Sequence, residues 1–384
     1  GKMAQAYVQL VPARMLKDPA EAKAASGKVL DLAQRVIAHG DFLWEAHDLA
    51  GSIYGGLELP AAGLRDYARA LQHFDQALAL DPGLADVWLK RARVFRAIDD
   101  RASALSDLNV FLRLRPESVE ALAARGEVLL DLNRPQYALV DLRKAHEARP
   151  RDAGIALAFA RALQATGSTA EAEAALDGVL KLQTGLTEAW MRRARLRLET
   201  GRPREAAEDA ARALALDAQD TAALDLHAQA CVKSRQFVEA ARDYAELVRL
   251  LPDRPAYKLG LAEALRAQGK GKEALAAYRE VLAAQPARQD VRLDVVKLLL
   301  DDPAAAWYDP QEALKQAREA EKQAQGSDPR VLLALAEALR AGNHPKEALE
   351  MFESAYTHYP TDPEVQAARE RLRQVLDPKH KPKP

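Results

Sequence analysis

The amino-acid sequence predicts an all-α protein built as a solenoid of about nine stacked helix pairs with end helices. Three observations carry this expectation. Pro82, Pro116 and Pro150 lie 34 residues apart, and the same spacing returns at Pro252 and Pro286. Between the prolines, small and large apolar residues fall at fixed slots, as in Ala92, Ala104, Leu108 and Phe111. The chain is 48% hydrophobic but only 5% aromatic, and alanine is abundant, which suits closely packed helices better than sheets. A fixed period of this length means that each unit buries its apolar face only by stacking on the next.

The elements follow in order. Residues 1–19 show no helical period, and Pro12 and Pro19 limit any helix there, so they are expected as a lead-in. Val29, Leu32, Val36 and Ile37 recur at helical spacing, predicting a helix from about Pro19 to Ala38 that Gly40-Asp41 ends. The first repeat starts near Trp44. Its first helix is expected to run to about Leu57, an inserted loop with Pro60 and Gly63 follows, and Tyr67 to Leu80 is the partner helix. Six repeats in strict register start at Ala85, Val119, Ala153, Thr187, Thr221 and Pro255. In each, a first helix A and a second helix B share the unit about equally. Gly167, Gly201 and Gly269 mark turns where positive φ is useful. A repeat starting at Gln289 is stretched by the insertion Pro303 to Tyr308, and a last full one runs from Pro329 to Pro360. Residues 363–376 read as a charged capping helix, and 377–384, with lysines between prolines, as a disordered basic tail.

Composition excludes several classes. The net charge of −1 gives no polyanion-binding signature, and nucleic acid is not an expected partner. One cysteine, Cys231, precludes an intrachain disulfide and a Cys-rich zinc site. No apolar run approaches the roughly 18 residues of a membrane span. No apolar signal core follows Gly1-Lys2-Met3. A cytoplasmic location is expected, with a periplasmic one after signal removal as the alternative.

Aligned repeats show their pattern. Position twenty is Ala in all: Ala70, Ala104, Ala138, Ala172, Ala206, Ala240, Ala274, Ala313 and Ala348. Position eight is small except at Val296, and position twenty-four is mostly large, as in Phe74, Leu142, Leu176, Tyr244 and Tyr278. Position four carries Trp88 and Trp190, and position thirty-two the prolines. Paired helices approach closely only where their crossing holds small side chains. This pattern, over residues 44–360, resembles the tetratricopeptide repeat family. The resemblance implies a right-handed α-α superhelix whose A helices line a concave groove through positions two, five, nine and twelve. Thr184 and Ala218 replace the repeat proline, which leaves two helix ends open. Arg91, Arg125 and Arg193 stand at position seven where the family usually has Leu, and are read as structural or ion-paired residues.

No catalytic constellation stands out, so the chain is expected to be no enzyme and to need no cofactor or metal. Gly269-Lys270-Gly271-Lys272 lacks the spacer of a phosphate loop, and the eight histidines form no His-Glu-x-x-His. His227 is expected as a packed core residue and Cys231 as a small hydrophobe. Asp99-Asp100 and Asp301-Asp302 fall at helix ends, as turn and cap residues. What remains is the groove implied by the resemblance. Its candidate residues are Leu89, Arg93, Arg96, Leu157, Arg161, Met191 and Arg195. Two readings stay open. Either the arginines take carboxylates of an acidic protein or peptide beside the apolar row, or they pair internally with Glu127, Glu188 and Glu199. The Lys/Asn clamp that some relatives use for a chaperone C-terminus is absent. The Asn ladder of the sugar-transferring relatives is missing too. The expected role is a non-catalytic scaffold of a multi-protein assembly. Its alternatives are an envelope scaffold of a polysaccharide secretion machine, meeting an anionic polysaccharide, and a helical regulatory domain of a larger enzyme. Trp307-Tyr308 is either a binding lip or a flap over the helix ends of its repeat.

Overall fold

A computed structural model describes residues 18–39, 43–57, 65–324 and 328–368. Nearly all of the lead-in and the inserted loop, the tail, and the capping helix beyond residue 368 lie outside the described residues; 363–368 are helical. Among the described residues every regular element is an α-helix. They are α1 (Pro19–Ala38), α2 (Trp44–Tyr54), α3 (Tyr67–Leu80), α4 (Ala85–Ala97), α5 (Arg101–Leu114), α6 (Val119–Asp131), α7 (Pro135–Ala148), α8 (Ala153–Ala165), α9 (Thr169–Leu182) and α10 (Thr187–Glu199). They continue with α11 (Pro203–Leu216), α12 (Thr221–Lys233), α13 (Phe237–Leu250), α14 (Pro255–Ala267), α15 (Gly271–Ala284), α16 (Gln289–Leu300), α17 (Pro310–Ala324), α18 (Pro329–Ala341) and α19 (Pro345–His358). The contacts divide the chain into two units, Gly1–Ala189 and Trp190–Pro384.

Within each unit, helices adjacent in sequence pack as antiparallel pairs, and the crossings have one cause. All nine position-twenty alanines are 0% exposed. At position eight even one methyl group is too much in some repeats. A Cβ on Gly51 would sit 2.8 Å from a Phe74 ring carbon, and one on Gly126 would sit 2.5 Å from Leu142 Cγ. The large residue at position twenty-four therefore fills the space that position eight leaves empty. In the first unit these crossings build one cluster around Val29, Ile53 and Phe74 and another around Leu89, Leu108 and Phe111. In the second unit, clusters form around Ala228, Tyr244 and Leu247, and around Tyr278, Val296 and Leu299.

In seven repeats the turn from helix A to helix B places position fifteen in the left-handed region. Gly167, Gly201 and Gly269 have φ of 80°, 76° and 75°, and Asp99, Asn133, Arg235 and Asn343 take φ of 65°, 55°, 62° and 63° at the equivalent slots. Glycine marks only some of these turns because Asp and Asn tolerate that conformation; at Arg235 the turn imposes it. Asp100 then caps α5, its side chain accepting from Ser103 N–H, and Asp302 accepts from Ala304 N–H, as expected of residues at helix ends. Three helix ends differ from the sequence expectation or resolve it. Gly55 and Gly56, the latter at φ 67°, stop α2 at Tyr54 rather than near Leu57. α9 and α11 end at Leu182 and Leu216 despite Thr184 and Ala218, because the backbone leaves the helical region at Gln183 (φ −138°, ψ 88°) and Asp217 (φ −143°, ψ 101°), as it does at Arg115 (φ −137°, ψ 77°) before a repeat proline. The turn itself ends these helices, and proline only reinforces it.

The insertion after α16 folds back. Trp307 packs on the core of its repeat and stacks on α15, where a Cβ on Gly271 would lie 2.3 Å from the indole. Trp307 is thus a flap and not a free lip.

Ala172→Leu tests the crossing geometry. Overpacking a fully buried slot should cost roughly 1–3 kcal/mol and lower the thermal midpoint. An unchanged midpoint would show that position twenty is not the crossing point.

Candidate binding face and a buried charge register

Position seven of helix A faces position twenty-three of helix B across each crossing. In three repeats the pair is ionic. Arg91 grips Asp107 through Nε and Nη2 at 2.8 Å each, Arg125 grips Asp141 at 2.7 and 2.8 Å, and Arg193 grips Asp209 at 2.9 and 2.7 Å. These carboxylates are 2–4% exposed. Arg197, one turn along α10, adds a third bond to Asp209 at 3.0 Å. The planar fork of Arg matches a carboxylate with two parallel bonds. Trp88 and Trp190 receive the guanidinium groups of Arg91 and Arg193 over their rings at 4.7 and 5.0 Å, so positions four and seven act together. Burial pushes the Asp107 carboxyl above its ordinary range, against the hydrogen bond and charge of Arg91 that lower it. That competition is the expected behaviour of a buried pair, whose attraction largely offsets its own desolvation. The repeat at Ala153 carries Phe159 and Ala175 in the same two slots, so the fold accepts an apolar pair there.

A fourth repeat varies the theme. His227 donates from Nδ1 to Asp243 Oδ2, and Cys231 Sγ lies 3.6 Å from His227 Nε2, all three residues buried. Both were expected as packed core residues, and they are packed. Their convergence with Asp243 was missed. The signal was a constant separation of sixteen residues, present in the sequence at Arg91/Asp107, Arg125/Asp141, Arg193/Asp209 and His227/Asp243. Burial, reinforced by the nearby Asp243 and Glu239 carboxylates, pushes the Cys231 thiol up to about 12, so it is no ready nucleophile.

The face formed by the A helices of the first unit carries three of the candidate arginines, and each has an acidic partner on a neighbouring A helix. Arg93 pairs with Glu120, Arg96 with Glu127, and Arg161 with Asp131 at 3.6 Å. Glu127 was an expected partner; Glu120 and Asp131 were not. Arg93, Arg96, Arg101, Asp99 and Asp131 line a cleft of about 360 Å³ between α4 and α6. Leu89 corrects an expectation: it is 7% exposed and belongs to the core beneath this face, so it offers a ligand little surface. Leu157 is partly buried. In the second unit Met191 is partly buried, and Arg195 is exposed with no ion pair among the described residues.

Two profiles of the tetratricopeptide repeat match this chain, at residues 157–221 and 223–369, together more than half of its length. The chain belongs to the tetratricopeptide repeat family. Solved structures of similar fold include YrrB, described as a TPR protein with an unusual peptide-binding site. It is 20% identical, at a TM-score of 0.45 over 50% of this chain and 96% of that one. PilW, a type IV pilus biogenesis factor, is 22% identical, at a TM-score of 0.48 over 56% and 98%. A tetratricopeptide repeat protein from Parabacteroides merdae ATCC 43184 is 15% identical, at 0.44 over 75% and 98%. No curated protein matches the chain. None of the described helices is long and apolar enough to cross a membrane.

The charge register within this family fold can be tested by exchange between repeats. Arg125→Met alone should destabilise by about 3 kcal/mol or more, because Asp141 is left buried without its partner. The double change Arg125→Phe with Asp141→Ala copies the Ala153 repeat and should stay within about 1 kcal/mol of the parent. Urea unfolding midpoints of the two variants separate these outcomes.

Proposed function

We propose that this protein is a non-catalytic scaffold that holds a protein or peptide segment on the face of its A helices and organises a multi-protein assembly, in the cytoplasm. The observation that carries this is the cleft between α4 and α6, where Arg93, Arg96 and Arg101 converge beside Asp99 and Asp131. The pairs at its rim are 33–52% exposed on both partners. Exposed pairs of this kind contribute about 0–1 kcal/mol. A ligand carboxylate therefore replaces Glu120 or Glu127 on a guanidinium at small cost, and the displaced acid returns to water. An acidic peptide is the class such exchange favours, since arginine binds carboxylates in a forked geometry. The apolar part of the contact falls to Leu157, partly buried in the same unit.

Capture of partners from the native host, and of an array of short Asp/Glu-rich peptides, tests this. Arg93→Glu with Arg96→Glu should lower peptide retention about tenfold or more, which is ~1.4 kcal/mol, with helicity and thermal midpoint unchanged. Retention should also fall as salt rises. Undiminished peptide capture by the double variant would end the proposal. Selective retention on an anionic polysaccharide resin would replace it with the envelope alternative.

A further inference from the structure

In the second unit, the turns from helix A to helix B carry charge that neither the helix crossings nor the acid-paired face uses. Between the turn joining α10 to α11 and the turn joining α12 to α13 lies a cleft of about 420 Å³. Its charged lining is four cations, Arg202, Arg204, Lys233 and Arg235, against one carboxylate, Glu205. Glu205 is already shared, at 3.7 Å from Arg197 Nε and 3.6 Å from Arg202 Nη1. Among the described residues, Arg204, Lys233 and Arg235 have no ion-pair partner. The turn itself does not require these charges. In the repeat at Ala153 the slots of Arg204, Lys233 and Arg235 hold Ala170, Ala165 and Gly167, and the same left-handed turn forms. Arg235 takes φ of 62°, where glycine is at ease and a side chain is not. Cations gathered without partners in one concavity, on a fold that does without them, set up a positive potential that an anion from outside can use.

We propose that this cleft binds the phosphate monoester of a phosphorylated serine or threonine in a partner protein. A lone carboxylate is satisfied by one forked guanidinium. The four cations less Glu205 leave a formal excess of three positive charges. That excess suits a group that brings nearly two negative charges and three acceptor oxygens to one point, as a phosphate monoester does. The backbone adds donors beside the same cations. Arg202, the N-cap of α11, makes no side-chain capping bond, and Pro203 has no N–H. The N–H groups of Arg204 and Glu205 have no acceptor among the described residues. That end of α11 also carries the positive pole of the helix dipole. The lining holds no aromatic residue on which a base could stack, which favours a peptide over a single-stranded nucleic acid as the bearer of the phosphate. Arg204, Lys233 and Arg235 are exposed, so a phosphorylated segment reaches them without opening any helix. The cleft lies wholly in the second unit, and the inference is independent of the acidic-peptide proposal for the first.

The full chain is titrated, by fluorescence anisotropy, into a labelled degenerate library of phosphoserine and phosphothreonine peptides and into the same library without phosphate. Phosphorylation should tighten binding about tenfold or more, and the gain should shrink as salt rises. Free O-phosphoserine and inorganic phosphate should compete, but only at concentrations well above those of an unlabelled phosphopeptide. Lys233→Ala with Arg235→Gly gives the cleft the side chains of the Ala153 repeat. It should remove most of the gain and leave the thermal midpoint unchanged, because glycine suits the left-handed turn. Arg204→Ala should weaken phosphopeptide binding on its own, and it decides if the double variant fails to fold. Equal binding of the two libraries by the parent chain, or a phosphopeptide preference that survives all three substitutions, would overturn the proposal. Inorganic phosphate competing as well as a phosphopeptide would also overturn it and leave a small-anion site. So would binding of an RNA homopolymer that the same substitutions abolish, without any preference for phosphopeptides.

Discussion

The close approach of paired helices at two small side chains is the constraint on which the rest depends. Helix axes come within about 8–10 Å only where their contact holds small groups. Position twenty is alanine throughout and wholly buried, and position eight drops to glycine at Gly51 and Gly126, where even a methyl group would strike Phe74 or Leu142. Once the crossing is fixed, position twenty-four has one place to go, over position eight. The turn at position fifteen must then reverse the chain within a few residues, and it does so in the left-handed region whether glycine is present or not. Each pair still exposes an apolar flank, so the fold is completed only by the next pair.

Against that apolar background the ionic pairs at positions seven and twenty-three look costly, and their value lies in selection more than in stability. A buried Arg–Asp pair gains little over an apolar one, as the Phe159 and Ala175 slots show by existing in the same array. A slip of helix B along helix A, however, would leave Asp107, Asp141 or Asp209 buried without a cation. The penalty for the wrong register is therefore much larger than the gain for the right one. Identical alanine-lined crossings make slips between neighbouring repeats the natural error of such a chain, and charge at a single slot discriminates against it.

Much of this was legible in sequence because it is local or periodic. Helix pairs, their starts, the small slots and the turn and cap roles of Asp99 and Asp100 follow from residue type and spacing. The two glycines that shorten α2 stand in the sequence as Gly55-Gly56, a stop signal ahead of Leu57. Side-chain partnership was less legible. Arg93 and Arg96 meet Glu120 and Glu127 from the following repeat, a pairing that depends on how one A helix is set against the next. Leu89 shows the same limit. Its position in the repeat suggests the groove, but it belongs to a buried cluster with Leu108, Phe111 and Leu122. The sixteen-residue separation was available to inspection, but its meaning appears only when helix A and helix B are antiparallel and in contact.

The two kinds of charge in this chain divide by dielectric. At position seven, burial makes each ion's partner hard to replace, so those arginines are fixed parts of the fold. On the outer rim of the A helices, water screens the same chemistry, and Arg93, Arg96 and Arg161 hold acids that a competitor can displace. In the proposed reading, a ligand that brings its own carboxylates exchanges one weak pair for another and gains what the exchange leaves over: the geometry of several anions held at once, plus apolar contact at the partly buried Leu157. Recognition in that reading is set by the spacing of charges along the ligand, because no single pair is strong enough to decide it.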